Sequence, residues 1–240
     1  MFLAHYQGIF TTHSIPLIRI RQEEHRLFLF DFDSQSITDW QAGEHGIFAL
    51  PANTRIKRKR SWRAFSILSL PEEGLLRFAT QIPEECSAYK SALLRLRQGD
   101  EILLRGPFGP FLLPKENNPL IFIANGIGIT PFRSMAATLA ERDDSRPLGL
   151  LHMAHLQEHP LRPDMEGFLG NRTNTVLRFL TNREGFADGV RESVGMFGGE
   201  ERYYLAGSQS FIRDVKRLLR FQGVPRRHIN TDAFWGLSHS

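Results

Sequence analysis

The chain has 240 residues, enough for one large domain or two small ones with a sizeable core. Its 41% hydrophobic and 23% charged content excludes a disordered or fibrous polypeptide, and its net charge of +4 is too small to argue for nucleic-acid binding by itself. The single cysteine, Cys86, excludes an internal disulfide, a cysteine-held iron–sulfur cluster and a thiolate-rich zinc site, and it points to a reducing cytoplasm.

No apolar run reaches the roughly 18 residues that span a bilayer, and the opening Met1-Phe2-Leu3-Ala4-His5-Tyr6 puts no charged region ahead of a long apolar one. Neither a membrane span nor a signal peptide is expected. In chain order, Leu17-Ile18-Arg19-Ile20-Arg21 alternates apolar and charged residues, and His25-Arg26-Leu27-Phe28-Leu29-Phe30-Asp31-Phe32 follows the turn-like Gln22-Glu23-Glu24. That predicts a hairpin with one buried face. Further strands are predicted at 46–50, 64–69, 75–80 and 101–105, between Gly, Pro and charged turns. A helix is predicted over 87–96, where Tyr89, Ala92, Leu93 and Leu96 share a stripe that Gly99 ends. Several short strands with one helix predict a small antiparallel β-barrel.

From about residue 120 the texture becomes alternating strand and helix. Leu120-Ile121-Phe122-Ile123-Ala124 is a continuous apolar run, as in a strand buried on both faces of a parallel sheet. Segments 148–153, 176–180 and 203–206 are candidate neighbours, and a helix is predicted over 210–221, with Phe211, Ile212, Val215, Leu218 and Leu219 at helical spacing before Gly223. The second half therefore reads as a doubly wound α/β fold. The boundary is placed in Pro114-Lys115-Glu116-Asn117-Asn118-Pro119, giving domains over 1–115 and 119–240.

Three segments carry chemistry. Ala124-Asn125-Gly126-Ile127-Gly128-Ile129-Thr130-Pro131 follows the buried strand and opens a helix, with Thr130 as N-cap and Pro131 at the first helical position. Glycines allow a tight turn and close approach of backbone to a pyrophosphate, and the free N–H groups of a helix start attract anions; the alternative is a ligand-free strand-to-helix turn. The third glycine of the dinucleotide fingerprint is replaced by Pro131, which argues against a standard Rossmann dehydrogenase. In Arg63-Ala64-Phe65-Ser66, alternation sends Arg63 and Phe65 to one face and Ala64 and Ser66 to the other. An arginine can fork onto phosphate, an aromatic can stack on a flat ring and a hydroxyl can reach a ring nitrogen; an ordinary strand with one core Phe is the alternative. Gly106-Pro107-Phe108-Gly109-Pro110-Phe111 reads as a rigid turn, either closing the barrel or touching a ligand.

Taken in order, the chain resembles the ferredoxin–NADP reductase superfamily, the two-domain flavoprotein reductases. The matching segments are Gly43-Glu44-His45, Arg63-Ala64-Phe65-Ser66, Ser87 with its helix, Gly99-Asp100, Gly106-Pro107-Phe108-Gly109, Gly126-Ile127-Gly128-Ile129-Thr130-Pro131, Gly207 and Asp232-Ala233-Phe234, and they cover about residues 15–237. The resemblance implies FAD on the N-terminal barrel and NAD(P)H on the C-terminal domain. Arg63 would hold the flavin phosphates, Phe65 would stack on the isoalloxazine and Ser66 would hydrogen-bond near N5, with Ala64 counted in the same cofactor-binding set. Thr80, Cys86 and Ser87 complete the flavin set, Ser87 acting through helix-start N–H groups on the diphosphate. Gly126, Ile127, Gly128, Ile129 and Thr130 would face the nicotinamide nucleotide, with Gly207, Ser208 and Gln209 supporting its nicotinamide end. Ser66, Asp232 and Phe234 are the candidate catalytic residues, with Phe234 or Trp235 as a gate.

The chain departs from the family pattern in several places. Phe65 replaces a tyrosine, Ala206 stands where many members carry a cysteine beside the nicotinamide, Glu84-Glu85-Cys86 leads into Ser87 without the usual glycine, and Asp232 replaces a glutamate. His152 and His155 bracket a strand end without a cysteine or paired carboxylate, so no metal is expected. His155 lies where the family often has an arginine for the NADP 2′-phosphate, which leaves NADH or NADPH open. The run Arg55-Ile56-Lys57-Arg58-Lys59-Arg60 puts five cations in six residues; a docking surface for an acidic electron carrier fits it better than nucleic acid, and a solvated loop is the alternative.

The expected function is hydride transfer from NAD(P)H to FAD, then electron transfer to a separate protein or small-molecule acceptor, in the cytoplasm. Such transfer needs no general base, only nicotinamide C4 within about 3–3.5 Å of flavin N5. The competing expectation is a flavin- or nucleotide-binding subunit that regulates or assembles with a partner without turnover.

Overall fold

The computed structural model describes residues 8–23, 26–37, 39–51, 61–154 and 159–233. The chain forms two compact units, Met1–Leu112 and Leu113–Ser240.

In the first unit six antiparallel strands form one sheet: β1 (Thr12–Gln22), β2 (Leu27–Asp33), β3 (His45–Ala49), β4 (Trp62–Ser66), β5 (Leu75–Gln81) and β6 (Glu101–Phe108). Their order is β4-β3-β6-β1-β2-β5, and β1 and β2 make the expected hairpin, with Ile20 opposite Phe30. The sheet curls as a barrel does, because its two edge strands meet through side chains: Phe65 of β4 lies flat on Phe78 of β5, centroids 4.3 Å apart and planes within 1°. Phe78 is the hub of the core, also touching Phe30, Phe32 and Phe48 at 5.0, 5.7 and 4.6 Å. Offset aromatic stacking of this kind adds about 0.5–1.5 kcal/mol per pair beyond area burial.

Helix α1 (Ala88–Leu93) buries Tyr89, Ala92 and Leu93 against this core, the stripe expected from the spacing. It is shorter than the predicted 87–96 because Ser87 is the N-cap outside it and the chain leaves helical geometry after Leu94. A second correction concerns β6, which does not turn at Gly106 but runs to Phe108, held there by pairing of Phe108 with His45.

The second unit is a parallel sheet of β7 (Leu120–Asn125), β8 (Leu148–Met153), β9 (Thr175–Leu180), β10 (Arg202–Gly207) and β11 (Ile229–Ala233), ordered β11-β10-β7-β8-β9. Segment 176–180 therefore neighbours β8, not the central β7. Helices α2 (Thr130–Glu141), α3 (Arg162–Leu169), α4 (Arg183–Glu192) and α5 (Gln209–Phe221) flank the sheet. Alternate residues of one strand feed both faces: Ile121 and Ile123 pack with Phe186 and Val190 of α4 and with Ile212, Val215 and Leu219 of α5, while Phe122 stacks on Phe132 of α2 at 4.6 Å. This double burial explains the unbroken apolar run of β7. The antiparallel barrel-like sheet and the doubly wound parallel sheet both stand as expected.

Candidate functional site

In the first unit the site residues gather where β4, β5 and α1 meet. Arg63 and Phe65 are half-buried on one side of β4. The Arg63 guanidinium lies 5.2 Å from the Tyr89 ring centroid, a cation–π contact that holds the charge over α1. Tyr89 also packs at 6.2 Å from Phe65 and donates its hydroxyl to the Phe48 carbonyl at 2.9 Å. Its helical spacing marks Tyr89 only as core, and only the fold shows that it braces both Arg63 and Phe65. With Phe78 against one face of the Phe65 ring, the other is the face that could cover a flat ligand.

Ser66 is 4% exposed, and its Oγ is buried without a hydrogen-bond partner. Leaving a hydroxyl desolvated and unpaired costs about 1–3 kcal/mol, so a polar atom supplied by a ligand fits there. Ala64, on the same side of β4, is exposed and offers only backbone. Thr80 is buried on β5, two residues beyond Phe78 on the same strand face.

Cys86 Sγ lies 3.2 Å from Ser91 Oγ. Ser87 caps α1, accepting from Lys90 N–H at 3.4 Å. Glu84 and Glu85 are exposed, so both carboxylates are open to solvent rather than buried. Lys90 is a cation that spacing did not single out: its ammonium donates to the Gln81 carbonyl, and burial pushes its pKa down despite the neighbouring Cys86.

In the second unit the glycine loop leaves the carboxyl end of β7 as a 3₁₀ turn, Gly126–Ile129, that runs directly into α2. Thr130 is therefore the first helical residue rather than the N-cap, and Pro131 is the second. The Thr130 hydroxyl donates to the Ile127 carbonyl at 3.0 Å. The two glycines serve different ends. Gly126 has φ +53° with open space where a Cβ would go, whereas a Cβ on Gly128 would fall 2.4 Å from the Ala206 carbonyl oxygen of β10.

The loop is tied on its other side to β8: Asn125 Nδ2 donates to the Met153 carbonyl at 3.3 Å, and His152 Nε2 lies 2.9 Å from the Gly126 carbonyl oxygen. His152 is fully buried, and burial pushes its pKa down to about 3. The imidazole that looked like half of a histidine pair is thus neutral and engaged by the loop; His155 lies outside the described residues.

Parallel register sets Asp232, Ala206, Ala124, His152 and Phe179 in one row across β11, β10, β7, β8 and β9. Asp232 is thereby placed beside Ala206, the position of the missing thiol. Gly207 ends β10 and is buried. Ser208 caps α5, accepting from Phe211 N–H at 3.3 Å, and Gln209 is exposed as the first residue of that helix. Phe234, Trp235 and the basic run 55–60 lie outside the described residues.

No family model matches the chain. It is 26% identical over 182 residues to the toluate 1,2-dioxygenase electron transfer component of Pseudomonas putida, covering 72% of this chain and 54% of that protein. It is 29% identical over 229 residues to a flavohemoprotein of Deinococcus radiodurans, covering 84% and 56%. The chain spans about half the length of these curated relatives. Among solved structures it superposes on the cytochrome b5 reductase domain of Ulva prolifera nitrate reductase with a TM-score of 0.79 at 16% identity, covering 93% of this chain and 98% of that one. Against ferredoxin–NADP+ reductase from Plasmodium falciparum the TM-score is 0.74 at 18% identity, covering 93% and 96%. The fold is that of the ferredoxin–NADP reductase-like proteins, as the ordered motifs led us to expect.

Proposed function

We propose that the chain is a flavin-dependent oxidoreductase that passes a hydride from NAD(P)H to bound FAD and then electrons to a separate acceptor. The observation that carries this reading is the buried Ser66 hydroxyl, which has no hydrogen-bond partner within the protein and so suits the polar edge of a bound ligand. Arg63 would hold the phosphates of FAD, Phe65 would cover one ring face, Ser66 would donate to or accept from the ring edge, and Ser87 would cap the helix facing the diphosphate. Bound FAD supplies a hydride-accepting ring that can release electrons singly. In the second unit the residues from Gly126 to Thr130 would receive the pyrophosphate of the nicotinamide nucleotide, and Gly207, Ser208 and Gln209 its nicotinamide end. Asp232, in β11, and Phe234 would complete the catalytic set with Ser66, Phe234 acting as the gate.

Two cationic features suit an acidic electron carrier as acceptor. One is the run 55–60. The other is a groove on α5 lined by Arg213, Lys216, Arg217, Arg220 and Arg226 together with Ile212 and Ala233. Among the described residues no helix is long and apolar enough to cross a membrane, and we place the protein in the cytoplasm on its single cysteine.

The test is the absorbance of the purified or FAD-reconstituted protein, followed by anaerobic NADH and NADPH additions. Flavin bands that bleach on addition support the reading; a protein that takes up no FAD overturns it. Arg63→Ala is expected to weaken FAD binding by about 1.5–3 kcal/mol through loss of a charge-assisted phosphate bond.

A further inference from the structure

His152 has no role in the flavin and nucleotide scheme above, yet it is a buried polar side chain in hydrogen-bond contact with the glycine loop. Its geometry determines its protonation. A carbonyl only accepts, so at 2.9 Å from the Gly126 oxygen the imidazole carries its proton on Nε2 and donates it. Its Nδ1 is a buried lone pair without a partner, and the ring packs steeply inclined to His159 and Phe179, with ring centroids 5.0 and 6.1 Å away. Burial makes protonation of that nitrogen unfavourable, so a single tautomer persists.

The consequence runs through the peptide that joins Gly126 to Ile127. In a trans peptide the C=O and N–H point in opposite directions. With the Gly126 carbonyl drawn inward to a fully buried histidine, the Ile127 N–H faces the other way, and both residues are half-exposed. It is also among the first N–H groups of a helical start, which have no acceptor within the helix. A glycine at φ +53° with nothing holding its carbonyl would be free to rotate this plane.

We propose that His152 is a positioning residue: by donating Nε2–H to the Gly126 carbonyl it fixes the plane of the Gly126–Ile127 peptide so that the Ile127 N–H is presented to the pyrophosphate of a nicotinamide nucleotide. The proposal rests on the reading of this loop as the nucleotide site. It assigns the anion-binding donor to one amide and gives it a support on the neighbouring strand.

The experiment uses the full chain, with NADH and NADPH as probes, and follows equilibrium binding together with the Ile127 amide and His152 imidazole resonances in ¹H–¹⁵N spectra. The parent is expected to show an Nε2–H tautomer and a marked shift of the Ile127 amide on nucleotide addition. His152→Phe, which keeps the volume but removes the donor, is expected to weaken binding about tenfold and to lose that shift. His152→Gln, whose amide reaches about as far as Nε2, is expected to restore both. Binding by His152→Phe equal to the parent overturns the positioning role while leaving the nucleotide site standing. A parent that binds neither nucleotide overturns both. Should His152→Phe fail to fold, the parent alone still decides: nucleotide binding without movement of the Ile127 amide rejects the proposal.

Discussion

Ser66 and Ala64 lie on the same side of β4, yet one is buried and the other open. Alternation places side chains on a face, but only the neighbours decide whether that face is covered. This makes Ser66→Ala informative. Removing a buried hydroxyl that has no partner is expected to leave ligand-free stability unchanged or raise it by up to about 1 kcal/mol, while slowing flavin reduction by NAD(P)H. Denaturation of the ligand-free protein and stopped-flow reduction measure the two effects, and a clear loss of stability would mean the hydroxyl has a protein partner. The two loop glycines separate in the same way. Gly128→Ala drives a methyl into the Ala206 backbone and is expected to cost about 1–3 kcal/mol as overpacking. Gly126→Ala meets open space and incurs only the left-handed backbone penalty of about 1–2 kcal/mol. Glycine at 128 therefore has an internal reason, the close approach of the loop to the Ala206 backbone, beside the proposed approach to a ligand.

At the scale of elements, α5 shows how a helix can satisfy the core and still present a charged stripe. Ile212, Val215 and Leu219 are buried, while Arg213, Lys216, Arg217 and Arg220 recur at spacings of three and four on the groove side. Like charges at such spacings each cost a few tenths of a kcal/mol on an isolated helix. Arg220 also donates to the Val224 carbonyl at 2.8 Å, so it helps finish the helix. Replacing Arg213, Lys216 and Arg217 together by Gln is expected to keep or slightly raise stability. It should reduce the rate with an acidic protein carrier at low salt, an effect that fades as the screening length falls from about 30 Å at 0.01 M to about 8 Å at 0.15 M. Turnover with a small dye serves as the control, and a carrier rate equal to the parent's at low salt rejects this surface as the docking site.

Several elements escape the sequence for identifiable reasons. Helix α4 contains Gly185 and Gly189, which lower helix propensity, though Asn182, which accepts from Gly185 N–H at 2.7 Å, is a capping signal that could have marked its start. Strand β11 is short and polar, Ile229-Asn230-Thr231-Asp232-Ala233, and is a strand only because β10 pairs with it.

Across the whole molecule, acid stability follows from groups buried in known states. Burial pushes the pKa of His45 down to about 4 and that of His152 to about 3, against 6.5 in an unfolded chain. Between those values the unfolded chain binds protons that the folded one refuses, so stability is lost as pH falls from about 6.5, by up to about 1.4 kcal/mol per pH unit for each histidine. Asp31 acts lower down. Burial opposes its ionisation, but hydrogen bonds from Arg77 and Arg19 prevail and hold its carboxyl below the usual value, so its contribution is present above about pH 4 and disappears beneath it. Denaturant unfolding at pH 7, 5 and 3.5 is expected to show progressive loss, and a flat profile between pH 7 and 5 would exclude neutral burial of the histidines. Asp31→Asn is expected to cost about 3 kcal/mol at neutral pH, since it removes the buried carboxylate charge that pairs with the Arg77 guanidinium.

What the sequence determined by itself was whatever is written locally: the period-two texture of the first half, the doubly apolar strand at 120–124, the tyrosine–leucine stripe of α1, and the order of Arg63, Phe65, Ser66 and the glycine loop. These depend on periodicity and turn chemistry within a few residues. What only the tertiary structure decided was which distant residues became neighbours: Phe78 behind Phe65, Tyr89 beneath Arg63, Ala206 against Gly128, and His152 on the Gly126 carbonyl. Strand order and register across long connections set those meetings, and because hydrophobic pattern assigns a residue to a face without naming its partner, they become visible only once the sheets are assembled.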